Sequence, residues 1–159
     1  RYEVVMYIER ALEPLVRRYS ENFKIVAVTG PRQVGKTTML KHLMEEEAES
    51  GVDRVYVTLD NTAILQTAKE DPALFLQRYR PPVLIDEIQK APELLPYIKM
   101  IVDERDDCGS VWITGSQPLH LMKAVSESLA GRVGIVEMLG LSHSEVAGTP
   151  SEPYLPSAD

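Results

Sequence analysis

Two short stretches of this chain have the residue types and spacing for phosphate chemistry. In Gly30-Pro31-Arg32-Gln33-Val34-Gly35-Lys36-Thr37-Thr38, two glycines separated by four residues are followed directly by Lys and Thr. The glycines let the backbone turn so that successive N–H groups point at phosphate oxygens. Lys36 then reaches the β- and γ-phosphates, and the Thr37 hydroxyl is placed to ligate Mg²⁺. A helix beginning near Gly35 adds its positive N-terminal end to the same anion. Pro31, Gln33, Val34 and Thr38 complete the loop, while Arg32 either contacts phosphate or covers it. The competing reading is a glycine-punctuated turn with an exposed lysine, and the position between an apolar run and a helical pattern argues against it.

The second stretch is Val83-Leu84-Ile85-Asp86-Glu87, two carboxylates at the end of an apolar run. Asp86 is a candidate to hold Mg²⁺ or its water. Glu87 is a candidate to position or deprotonate an attacking water. If their strand neighbours the phosphate-loop strand, both motifs open at one sheet edge, where α/β sheets bind ligands. Thr114-Gly115-Ser116 ends a further strand, and Ser116 there either senses the γ-phosphate or serves a tight turn. Gln89 orients water or is simply a polar surface residue. Asp60 is a ligand residue or a helix cap. Arg132 is the candidate charge-stabilising arginine, supplied in cis or by a neighbouring copy, against the alternative of a solvated or capping side chain. Trp112 reads as core and Cys108 as an incidental thiol.

These groups need elements to hold them. Residues 24–29 form a near-continuous apolar run that suits a strand buried on both faces of a parallel sheet. Residues 55–59, 83–85 and 111–114 read as further strands, and 134–139 as a fifth. Helical spacing predicts a short or kinked helix over 7–19 with Pro14 inside it, a helix from Gly35 to Gly51, one over 62–79 broken near Pro72, and one from Pro92. Strand and helix alternating along the chain imply right-handed crossovers and a three-layer α/β sandwich.

Composition bounds the rest. The length of 159 residues, with 44% hydrophobic and 26% charged residues, is that of one ordinary globular domain. One cysteine excludes an intrachain disulfide framework, and the scattered His42, His120 and His143 lack zinc-site spacing. No stretch is apolar enough to span a membrane, and with a single cysteine a reducing cytoplasm is the expected location. The first 50 residues are charge-balanced, and all seven excess negative charges lie in 51–159. Nucleic-acid binding needs clustered Lys and Arg, so direct binding by this segment is disfavoured. The last ten residues hold three of the eleven prolines, which marks 149–159 as a tail or linker after a 24–148 core.

Taken together, Gly-Pro-Arg-Gln-Val-Gly-Lys-Thr-Thr at 30–38, Leu-Ile-Asp-Glu-Ile-Gln-Lys-Ala-Pro at 84–92, Thr-Gly-Ser at 114–116 and Ser-Leu-Ala-Gly-Arg-Val at 128–133 strongly resemble a family of prokaryotic AAA-type (AAA+) ATPases. Tyr7-Ile8-Glu9-Arg10, within the helical lead-in 1–23, is also similar. The resemblance implies a P-loop NTPase fold, a five-stranded parallel sheet in AAA order with the phosphate-loop strand central. It implies that Lys36 and Thr37 bind the phosphates of ATP or ADP and Mg²⁺, that Asp86 and Glu87 are the metal-binding and catalytic pair, and that Ser116 lies near the first sensor position. Arg132 gains weight as a catalytic residue, in cis or through a homo-oligomer. Family members continue past residue 145 into a separate C-terminal domain, which this chain would lack. The expected function is Mg²⁺-dependent ATP binding and hydrolysis as the core of a larger protein. The alternative is a nucleotide-operated switch or scaffold with little turnover. A small-molecule kinase would need an arginine-rich lid, and residues 93–110 offer only Arg105.

Overall fold

The computed structural model describes residues 7–116, 118–141 and 143–148. Five parallel strands alternate with helices: α1 Glu13–Asn22, β1 Ile25–Thr29, α2 Lys36–Glu49, β2 Val55–Thr58, α3 Thr62–Glu70, α4 Pro72–Arg78, β3 Val83–Asp86, α5 Leu94–Asp103, β4 Val111–Gly115, α6 Pro118–Ser128, β5 Val133–Glu137 and α7 His143–Ala147. A 3₁₀ turn, Ile88–Lys90, lies between β3 and α5. The 149–159 tail falls outside the described residues.

The sheet order is β2-β3-β4-β1-β5, with every pairing parallel. This corrects one expectation. The middle strand is β4, and the phosphate-loop strand β1 lies one place off centre, between β4 and the edge strand β5.

The apolar strands are buried because both faces of the sheet are covered. In β1, Ile25 and Ala27 pack with α3 to α6, while Val26 and Val28 pack with α1 and α2. The same alternation divides Val83 and Ile85 from Leu84, and Val111 and Ile113 from Trp112. On one side α5 contributes Leu94, Leu95, Ile98 and Val102; on the other, α2 contributes Met39, Leu40 and Leu43.

Pro14 does not kink the first helix. It sits in the first turn, where its missing N–H costs nothing, so α1 starts at Glu13 and runs on to Asn22. Val16 of α1 is fully buried against β1 and α2, which joins the lead-in to the core. Asp71 separates α3 from α4 by capping the latter, its side chain accepting from Leu74 N–H at 3.0 Å.

Candidate phosphate-binding site

The loop leaves the C-terminal end of β1 under two backbone constraints. Gly30 has φ +149°, and a Cβ there would lie 2.0 Å from the Met138 carbonyl oxygen. That carbonyl cannot retreat easily, because Met138 N–H donates to Thr29 O at 2.7 Å. Gly35 has φ +92° and is the N-cap of α2. The first-turn N–H groups of α2 therefore have no carbonyl of their own helix to bond, the arrangement that receives an anion. A cavity of about 320 Å³ opens here, lined by Arg32, Gln33 and Gly35 to Thr38 of the loop, together with Asp60 and Glu87.

Lys36 is buried, and its Nζ donates to Gly30 O at 2.9 Å and Pro31 O at 2.6 Å. Burial pushes its amine below the ordinary lysine range, opposed by the charges of Glu87 and Asp86. The ammonium bonds only backbone carbonyls, so an incoming phosphate would replace neutral partners with a charged one.

Asp86 is also buried, and no cation pairs with it among the described residues. It collects hydroxyls instead: Thr37 Oγ1 at 2.6 Å and Thr114 Oγ1 at 2.7 Å on Oδ1, Thr58 Oγ1 at 3.1 Å and Tyr56 OH at 3.4 Å on Oδ2. Asp86 at the end of β3 and Thr37 in the first turn of α2 meet although β3 and β1 are not adjacent. The condition that β3 neighbours β1 is not met: β4 lies between them, and Thr114 of β4 bonds the carboxylate midway. This donor set is oxygen only. A carboxylate with adjacent hydroxyls suits a hard cation such as Mg²⁺, and Thr37 and Asp86 are the residues that fit it.

Glu87 follows in the left-handed conformation, φ +61°, with its N–H donating to Thr114 Oγ1 at 3.0 Å. Ser116 Oγ donates to Glu87 Oε2 at 3.1 Å, and the Gln89 amide bonds both. Asp60 caps no helix; Asn61 does, and Asp60 pairs with Lys90 at the rim.

Arg132 is not brought to this site. It precedes β5, its carbonyl accepts from Ile25 N–H at the start of β1, and its side chain pairs with Asp103 at 2.5 and 3.0 Å. The strands run parallel, so Arg132 lies at the opposite sheet edge from the loop. A role in cis is corrected on that ground, and only contact from another copy stays open. A larger cavity, about 530 Å³, also lies at that opposite edge, around Arg54, Trp112 and Ser110. Its charged groups are largely paired with each other.

Three contributors escaped the sequence reading. Thr58 and Tyr56 reach Asp86 because Thr58 is in register with it across β2 and β3. A hydroxyl residue ending a strand otherwise alternating toward the core was the available signal. Arg10 is buried, and its guanidinium donates to Val34 O at 2.6 Å, Leu139 O at 2.7 Å and Glu145 Oε1 at 3.0 Å. It ties the loop to the segment after β5. Only a resemblance in the lead-in hinted at it.

Comparisons with known proteins agree with this fold. A family model described as an AAA domain matches residues 22–147. Uncharacterized proteins of Mycobacterium bovis and Mycobacterium tuberculosis are each 33% identical over 137 residues, which is 86% of this chain but 30% of theirs. The chain therefore spans under a third of the length of these relatives. Among solved structures, the DnaC helicase loader superposes with a TM-score of 0.57 at 15% identity, over 86% of this chain and 95% of that one. A DNA replication initiation factor gives 0.54 at 16%, over 86% and 48%, and Saccharomyces cerevisiae RIF2 gives 0.53 at 13%, over 93% and 60%. At those identities the likeness is one of fold.

Proposed function

The chain belongs to the AAA domain family, and on that premise we propose that it is a Mg²⁺-dependent ATP-binding core that hydrolyses the bond to the γ-phosphate. Family and fold support nucleotide binding. The observation that carries the finer reading is the meeting of Thr37 and Asp86 at 2.6 Å, beside a cavity that Glu87 also lines. A phosphate chain on the loop would then lie between an ammonium and a carboxylate base.

The loop N–H groups, the start of α2 and Lys36 bind the β- and γ-phosphates. Thr37 and Asp86 would hold Mg²⁺, which when bound offsets charge on the phosphate oxygens. Water attacks the γ-phosphorus, the bond to the bridging oxygen breaks, and that electron pair leaves with ADP. The water's proton goes to Glu87. Ser116 places a hydroxyl beside the base, where it can register a γ-phosphate. Arg132 would stabilise charge only at a neighbouring copy's site, which makes turnover dependent on assembly.

The test is phosphate release by wild type and by Glu87→Gln across a range of protein concentrations. Wild type is expected to turn over. Glu87→Gln should bind ATP with unchanged affinity and hydrolyse it at least about a hundredfold more slowly, the usual worth of a positioned base. Wild type that binds ATP yet releases no phosphate at any concentration would replace this reading with a nucleotide-operated switch.

A further inference from the structure

We propose that Gln89 is a positioning residue that fixes Glu87 and couples it to Ser116; the inference rests on the hydrolytic reading of this site. Gln89 lies in the 3₁₀ turn Ile88–Lys90, directly after the acidic pair. Its Nε2 donates to Glu87 Oε2 and, at 3.0 Å, to Ser116 Oγ. Ser116 Oγ donates in turn to the same Glu87 Oε2 at 3.1 Å. Two side chains from different elements thus converge on one carboxylate oxygen.

The orientation of the amide follows from electrostatics. Turned over, the Gln89 carbonyl would face the Glu87 carboxylate, oxygen against oxygen. With Nε2 toward Glu87, Gln89 Oε1 is left buried and has no donor among the described residues. A buried acceptor without a partner is unfavourable. A glutamine that only faced solvent would keep that oxygen hydrated. The side chain is held for what its Nε2 does.

Glu87 itself supplies the second observation. Its backbone is left-handed, φ +61°, which is uncommon for a residue with a Cβ and clusters where neighbours over-determine the geometry. Here Thr114 holds the Glu87 N–H, and Gln89 with Ser116 holds the carboxylate. With Oε2 committed to two donors, Oε1 is the oxygen left to take the water's proton. If a γ-phosphate draws the Ser116 hydroxyl to itself, Gln89 becomes the only donor on Oε2. Phosphate sensing at Ser116 is thereby passed to the base through one amide.

Gln89→Met tests this, because methionine keeps the length and approximate volume and removes only the amide. Its kcat should fall about tenfold or more, while KM for ATP and the Kd of a fluorescent ADP analogue stay within about twofold. Combining it with Ser116→Ala should slow turnover by less than the product of the two single effects, since both act on one oxygen. A kcat of Gln89→Met within twofold of wild type overturns the proposal, as does a parallel loss of nucleotide affinity. Absence of turnover in wild type itself overturns the hydrolytic reading, and is seen before any variant is made.

Discussion

Three arginines at one edge of the sheet and two buried charges at the other are held in different ways. At the N-terminal edge the arginines find carboxylates. Arg132 bonds Asp103, Arg105 bonds Asp107, and Arg54 bonds Glu47 while stacking 3.8 Å from the centre of the Trp112 ring. The arginine bonds hold the carboxyls of Asp103 and Asp107 below their ordinary range. At the C-terminal edge, Lys36 and Asp86 are both buried and neither forms an ion pair among the described residues. The lysine bonds carbonyls, and the aspartate bonds hydroxyls. Buried charges without an opposite charge beside them are unfavourable, and such groups are more frequent at functional sites than elsewhere. The ion pairs of Arg54, Arg105 and Arg132 fasten the fold. The buried Lys36 and Asp86 are, on the proposed function, the groups that would meet phosphate and metal.

The sharpest way to break this contrast is Lys36→Ala. If the unpaired ammonium exists for phosphate, its removal should weaken ATP and ADP binding by more than about a hundredfold, or some 3 kcal/mol. Folding should be intact, since only carbonyl contacts are lost. Calorimetry with both nucleotides checks this, and unchanged affinity would remove the basis for the site.

Arg132 is the residue through which the paired edge joins the chemistry, if it does so in trans. Arg132→Ala should then lower turnover by about a hundredfold or more, within the range for an arginine supplied by a partner. Mixing it with Lys36→Ala restores part of that loss, because one variant offers an intact site and the other an intact arginine. Mixtures that stay inactive would return Arg132 to a surface ion pair with Asp103.

Arg54 tests the structural side. Its guanidinium bonds Gly109 O at 2.7 Å as well as Glu47, and it covers Trp112. Arg54→Ala should cost about 2 kcal/mol of stability through stranded acceptors and an uncovered ring. Urea unfolding measures the loss, and nucleotide affinity of the folded variant should not change. A fall in affinity would mean that the two edges are coupled.

How much of this was legible beforehand differs between local and long-range features. The loop could be read because its chemistry is contiguous from Gly30 to Thr37, and apolar runs such as 24–29 mark buried strands directly. Strand order could not be read from periodicity, which says that a strand is buried but not beside which partner. That is why periodicity leaves open whether β3 lies beside β1, and why it gives Thr58 no role. Its meaning comes only from register with Asp86. The choice between cis and trans for Arg132 stays open in the sequence for the same reason. Its position before β5 is local, yet the edge on which it lies depends on the parallel pairing of β5 with β1. Pro14 is legible as a breaker but not as a first-turn residue, because Ile8 and Leu12 carry the helical spacing into residues that precede α1.

The smallest effect is a pH dependence that follows from the lysine itself. Burial favours the neutral amine, so the Lys36 pKa in the folded protein lies below that of a free lysine. Phosphate binds the ammonium form. Nucleotide affinity is therefore greatest below the lowered pKa and declines as pH rises through it. That decline sets in on the acid side of where an exposed lysine would titrate. Binding within the window takes up a proton, so calorimetric enthalpies in buffers of different ionisation heat should differ there and agree near neutrality. The folded protein without nucleotide shows the complementary sign: between the lowered pKa and the ordinary one, the unfolded chain holds more protons, and stability rises with pH. Lys36→Arg keeps its charge throughout and should flatten the alkaline decline, even if its overall affinity is lower. An alkaline decline that Lys36→Arg leaves unaltered would assign the titration to another group and remove the unpaired lysine from the contrast between the two edges.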